Sequence, residues 1–212
     1  MSIPPFPVYI FDVDGTLVDS AVDICGAVAD TLSKHEVPPQ SFEFLRSYIG
    51  RHLDVLFKDL IPNITKEQSD AMVAQYRVVY HARGHAGTKL YSGVDAMLAG
   101  LAGRKSTATT KGTPTTRIIL EQFGLISHFD HVQGTDGFPA KPEPDVLMKT
   151  IELFGVRPED CLFVGDSTAD MEAGKRCGVK LCGVGYGYGD VAAMRSFAPD
   201  YWIDSPAELL SL

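Results

Sequence analysis

Two aspartates, Asp12 and Asp14, stand in Phe11-Asp12-Val13-Asp14-Gly15-Thr16-Leu17, directly after the apolar run Val8-Tyr9-Ile10-Phe11. In a strand, residues two apart point to the same side, so both carboxylates are expected in one pocket at the strand's end. Carboxylates that close repel, and the arrangement is costly unless a cation or a shared proton compensates. Gly15 allows the chain to turn, and the backbone N–H groups beyond it can face an anion. The plain alternative is a solvated Asp-Gly turn.

Three more segments have matching chemistry. Ala108-Thr109-Thr110-Lys111 offers hydroxyls and amides before Pro114, a combination that suits a phosphate oxygen but also a threonine-rich helix cap. In Ala140-Lys141-Pro142-Glu143-Pro144 the prolines stiffen the loop. Lys141 there could neutralise an aspartate cluster and a phosphate together, or be an ordinary loop lysine. Phe163-Val164-Gly165-Asp166-Ser167-Thr168-Ala169-Asp170 places Asp166 and Asp170 at i, i+4, on one face of a helix start. With Asp12 and Asp14 they form a set of hard oxygen ligands suited to Mg2+, although a helix N-terminus accepts acidic side chains for its dipole alone. The four segments occur in order and supply different parts of one machine.

The elements that must position them follow from periodicity. Short apolar runs at Val8–Phe11, Phe129–Val132, Cys161–Val164 and Val179–Val184 each lead into Gly, Asp or Thr and then a helical pattern. That alternation predicts an α/β fold with a doubly wound parallel sheet, ligands binding beyond the carboxyl ends of the strands. Tyr201-Trp202-Ile203 reads as a last strand. The stretch Gly103-Arg104-Lys105-Ser106-Thr107-Ala108 is polar for a central strand and suggests an edge or a local distortion. Between Thr16 and Gly84 the periodicity is helical throughout, with Asn63 or Thr65 capping a helix from about Lys66 to Arg83. The expected domains are a core of 1–16 and 85–212 and a helical insert of 17–84. His81 and His85, at i, i+4, read as a solvated helix end.

Composition narrows the function. The 212 residues carry a formal charge of −8 and no Lys/Arg-rich run, which argues against nucleic-acid binding. Hydrophobic residues make up 45% and charged ones 22%, values of a globular chain rather than a disordered one. Cys25, Cys161, Cys177 and Cys182 lack a CxxC spacing and read as small core residues of a reducing compartment. No leader-like or membrane-spanning stretch is evident, so a cytoplasmic protein, monomer or homodimer, is expected.

Together the four motifs resemble the haloacid dehalogenase superfamily, in the branch similar to phosphoglycolate phosphatases, whose helical cap is inserted after the first motif. The resemblance covers essentially the whole chain. It implies that Asp12 attacks phosphorus and that Asp14 protonates the leaving group and then activates water. It also implies that Thr109 and the backbone after it, with Gly15 and Thr110, hold the phosphoryl group while Lys141 steadies the charge. Mg2+ would be bound by Asp12, the carbonyl of Asp14, Asp166, and Asp170 directly or through the ligands. In the cap, Arg46, Arg51 and His52 lie where relatives of this kind contact the leaving group, and solvated surface charge is their alternative. The implied substrate is a small phosphorylated metabolite, phosphoglycolate first. A β-phosphoglucomutase-like mutase ranks lower because Arg51-His52 follows Gly50 where that enzyme has Ser-Arg, and a silent binding protein would have lost one of the acidic residues. The Gly183-Val184-Gly185-Tyr186-Gly187-Tyr188-Gly189 stretch also resembles this branch and does not satisfy G-x-G-x-x-G.

Overall fold

Strand β1, Val8–Phe11, is buried at every residue. Its side chains alternate between two cores: Tyr9 and Phe11 enter one cluster, Val8 and Ile10 the other. In the computed structural model, which describes residues 3–210, the elements after β1 run in this order. They are β2 (Val18–Asp19), α1 (Ala21–Lys34), α2 (Phe42–Arg46), α3 (Leu53–Leu60), α4 (Lys66–Ala82), β3 (Lys89–Leu90) and α5 (Val94–Gly100). Then come β4 (Arg104–Thr107), α6 (Thr113–Gln122), α7 (Asp145–Phe154), β5 (Cys161–Gly165), α8 (Thr168–Cys177), β6 (Lys180–Val184), α9 (Val191–Ser196) and β7 (Tyr201–Ile203).

The main sheet is parallel in the order β4-β1-β5-β6-β7, with Phe11 level with Thr107 on one side and Val164 on the other. Val94, Met97 and Leu98 of α5 and Ile119 and Leu120 of α6 cover one face, and Val146, Leu147 and Ile151 of α7 and Met171 and Ala173 of α8 cover the other. This is the doubly wound α/β architecture, in which strand β1 has later strands on both sides and the crevice opens at its carboxyl end. No helix among the described residues is long and apolar enough to cross a membrane. The four cysteines are free, and burial pushes the thiols up, Cys25 and Cys177 to about 11 and Cys161 to about 12.

The polar strand β4 lies at the sheet edge. Its polar groups are satisfied by tertiary partners: buried Lys105 donates Nζ to the carbonyls of Leu101 (2.5 Å) and Gly103 (3.0 Å), and Ser106 shares a hydrogen bond with Thr150. The strand expected at Phe129–Val132 does not form. Instead the segment follows the β4 edge through isolated bridges, Ser106 to His131 and Thr109 to Gly134. Asp130 Oδ2 accepts from Lys105 N (2.8 Å), and Thr107 Oγ1 donates to Gln133 O while accepting from Gln133 N. Side-chain hydrogen bonds thus take the place of a continuous ladder and blunt the edge.

The chain divides into two compact units, one running up to Asp19 and from Leu90 onward, the other Ser20–Lys89. The bounds fall a few residues later than 17–84: Leu17 and Val18 are buried in the sheet core, while Gly87 N and Thr88 Oγ1 donate to Asp23 of α1 (2.9 and 2.7 Å). The second unit is built of helices α1 to α4, with Ile24, Ala27, Val28 and Leu32 of α1 packed among Leu56, Phe57, Met72, Tyr76 and Tyr80. His85 corrects the sequence reading: it is buried, with its ring 5.0 Å from that of Tyr80, rather than solvated. Thr65 is the cap of α4, and it forms a reciprocal capping box with Gln68. Thr65→Ala is expected to lower stability by about 1 kcal/mol in chemical denaturation, with Thr65→Ser close to wild type.

Candidate active site

Asp12 follows β1 directly and is fixed by its backbone, whose N–H donates to Val164 O of β5 (2.9 Å). The chain then turns: Leu17 N and Val18 N both reach Val13 O, and Gly15 N donates to Val18 O. Gly15 has φ +89°, and a Cβ there would collide with the carboxylate of Asp166. Glycine is required on both counts. Asp166 comes from the end of β5, ahead of α8 rather than within it, and Asp170 lies in the first turn of α8, whose cap is Ser167.

Lys141 sits at the centre of this group. Its Nζ is 2.8 Å from Asp12 Oδ1 and 2.5 Å from Asp170 Oδ1, and it donates to Ala108 O at 2.9 Å. The loop bearing it is tied to α8 by Arg176, which donates to Glu143 Oε1 (2.7 Å). The other oxygen of Asp170 accepts from Ser167 N (2.9 Å) and Ser167 Oγ (2.6 Å). Both oxygens of Asp170 are therefore engaged by protein donors. Asp166 accepts from Tyr188 N at Oδ2 (2.7 Å) and from Thr16 Oγ1 at Oδ1 (3.2 Å).

Asp12, Asp166 and Asp170 are all buried, with one oxygen from each within 4.8 Å of the others. Burial pushes Asp12 up to about 7; Lys141 pulls against this, while Asp170 and Asp14 add to the rise. Burial likewise raises Asp166 well above the usual carboxylate range, with Asp12 and Asp170 adding to it and the Tyr188 amide opposing. Burial alone would lower Lys141, but Asp12 and Asp170 more than offset that and hold its ammonium charged. Three buried carboxylates around one ammonium leave an excess of negative charge among oxygen donors. This donor set fits a hard divalent cation.

Thr109 and Thr110 follow β4. Thr109 is buried; its hydroxyl accepts from Lys111 N (3.3 Å), and its carbonyl accepts from Thr135 Oγ1 (2.9 Å). Lys111, quoted in the sequence motif without a role, brings a second cation: its Nζ is 3.4 Å from Asp14 Oδ2. The available signal was its place two residues beyond Thr109 in a strand-end turn. Arg46, Arg51 and His52 belong to the helical unit. Arg46 ends α2, Arg51 lies over the Tyr48 ring (5.2 Å), and His52 caps α3 with Nδ1 2.6 Å from Asp54 Oδ1.

The sheet, the inserted helices and this cluster of strand-end residues define a class, and the chain belongs to it: residues 9–184 match the haloacid dehalogenase-like hydrolases. Over 211 residues it is 34% identical to phosphoglycolate phosphatase 1 of Pseudomonas aeruginosa, covering 95% of this chain and 77% of that one. It is 32% identical to the phosphoglycolate phosphatase of Aquifex aeolicus, covering 97% and 95%. A solved structure of a haloacid dehalogenase-like hydrolase from Streptococcus pneumoniae superposes with a TM-score of 0.88 at 27% identity, over 97% of both chains.

The raised carboxylates have a consequence for stability. A carboxyl whose folded value exceeds its unfolded one binds its proton more tightly in the fold, so its contribution to stability falls as pH rises from about 4 through the raised value. For Asp12 that window ends at about 7. In chelator, Asp166→Asn is therefore expected to melt higher than wild type at pH 8, with the gap closing towards pH 5. Thermal denaturation across that range checks it, and Mg2+ should protect wild type far more than the variant.

Proposed function

We propose that the protein is a magnesium-dependent phosphomonoesterase that works through a phosphorylated Asp12, with phosphoglycolate as its substrate. The observation that carries this reading is the placement of Lys141 Nζ between Asp12 and Asp170 at the carboxyl end of β1. The names of the relatives support the substrate. With Oδ1 held by Lys141, Asp12 attacks phosphorus through Oδ2, and the ester P–O bond breaks as the Asp12–phosphorus bond forms. Asp14 gives its proton to the departing alkoxide. It then takes a proton from the water that attacks the aspartyl phosphate, which frees Asp12 and releases phosphate. An aspartate nucleophile divides one hard hydrolysis into two easier steps.

Phosphoryl transfer asks the protein mainly for positioning and charge stabilisation. Thr109 and Thr110 meet the phosphoryl oxygens, Lys141 steadies the charge through Asp12, and Lys111 keeps Asp14 oriented; the amides after Gly15, expected to face the anion, are taken up instead by Val13 O within their own turn. Asp12, the carbonyl of Asp14, and Asp166 would hold Mg2+, with Asp170 acting through Lys141 and Ser167. When bound, the ion neutralises charge on the transferring phosphoryl group. The helical unit serves as a cap that limits water access during the first step, and its Arg51 and Arg46, with His52, read the substrate's carboxylate.

Asp12→Asn is expected to reduce turnover to background with the fold intact, and chelation should abolish activity until Mg2+ is restored. Activity of Asp12→Asn within a few-fold of wild type would exclude the covalent route. A side-by-side panel of phosphoglycolate, sugar phosphates, nucleotides and an aryl phosphate should give phosphoglycolate the highest kcat/KM; a better sugar phosphate would overturn the substrate. Arg51→Ala should cost about 2–5 kcal/mol on phosphoglycolate and little on the aryl phosphate, which carries no carboxylate. Equal losses on both would remove Arg51 from substrate recognition.

A further inference from the structure

The glycine- and tyrosine-rich stretch after β6 has no part in the chemistry above, yet it closes around Asp166. Tyr188 donates its amide to Asp166 Oδ2 (2.7 Å). The chain at Gly187 and Gly189 passes so near that a Cβ at the first would strike the Asp166 side chain, and at the second its carbonyl oxygen. A relay reaches the other oxygen. Tyr186 Oη donates to Thr16 O (3.1 Å), and Thr16 Oγ1 donates to Asp166 Oδ1 (3.2 Å). Tyr186 is itself steadied by the ring of Tyr91 (4.9 Å), and burial keeps its hydroxyl protonated as a donor. Tyr188 Oη donates to Asp19 Oδ1 (2.9 Å), fixing the far end of the same 16–19 segment.

Each carboxylate oxygen accepts two hydrogen bonds or ligands. One protein donor on each oxygen of Asp166 fixes the plane of the carboxylate and leaves capacity on both for a cation. Hydrogen bonds behind a metal ligand orient it, and their loss typically costs about 10–100-fold in metal affinity. We propose that Tyr186 is a positioning residue for Asp166, acting through Thr16, and that the loop of residues 185–189 sets the affinity of the site for Mg2+. This rests on the magnesium reading given above.

The test is a titration of metal-free protein with MgCl2, read by the shift in Tm. Tyr186→Phe is expected to raise the half-saturating Mg2+ concentration about tenfold or more, while KM for substrate at saturating Mg2+ stays as in wild type. The metal-free Tm separately reports any purely structural cost, which would not move the half-saturation point. If Tyr186→Phe fails to fold, Thr16→Val decides the same point further along the relay: it should weaken Mg2+ equally, and Thr16→Ser should restore it. A folded Tyr186→Phe, or Thr16→Val, that binds Mg2+ as wild type does overturns the positioning role. A wild-type protein that shows no Mg2+-induced shift overturns the magnesium reading instead.

Discussion

One buried ammonium, Nζ of Lys141, holds together the ends of two neighbouring strands and the helix that follows a third. Its partners are Ala108 O beyond β4, Asp12 beyond β1 and Asp170 beyond β5, all within 2.9 Å. Neither the carboxylates nor the ammonium would be stable in this place alone, since burying an unpaired charge costs several kcal/mol. The geometry is therefore mutual: the parallel register of β4, β1 and β5 brings the groups within reach, and the groups lock that register at its carboxyl end. The pairing also sets orientation, because one oxygen of Asp12 is fixed and its other is directed by default.

The same cluster is incomplete as a balance of charge. Burial, with the mutual repulsion of carboxylates that Lys141 alone cannot neutralise added to it, raises the proton affinity of Asp12 and Asp166. Asp170 contributes differently from its neighbours. With Lys141 on one oxygen and Ser167 on the other, it works as a strut that connects the helix cap of α8 to the lysine.

Much of the framework was legible in the sequence because it depends on local pattern. The apolar runs of β1, β5 and β6, the Tyr201–Ile203 strand and the capped helix from Lys66 are all there. The expectation that polar residues after each apolar run share one end of the sheet agrees with the places of Asp12 after β1, Thr109 after β4 and Asp166 after β5. What escaped is set by distant partners. Phe129–Val132 has the composition of a strand, but its hydrogen bonds run to the polar side chains and backbone of β4, and only bridges result. The polar character of β4 itself was a correct signal of an edge. Its explanation, in Leu101, Gly103 and Thr150, lies outside any sequence window. His85 looked solvated beside His81 because periodicity ends there, while a left-handed backbone turn carries it under Tyr80. Lys111 had no sequence pattern linking it to Asp14; the pairing exists only once the turn after β4 is folded.

The clamp at Asp23 has a consequence for how such a chain can diversify. One carboxylate near the start of α1 accepts from Gly87 and Thr88, so residues 64 and 65 positions apart are tied by the helical unit's own bonds. Arg83 reinforces the tie, 3.6 Å from Asp23 and 3.0 Å from Asp30. An insertion whose two ends meet on its own account adds little closure entropy to the host, because that cost grows only slowly with length and is already met locally. The segment behaves as a cassette. Helices inside it can lengthen or shorten while β1 and α5 remain joined as if by a short turn, and the main sheet need not be refolded around each new insert.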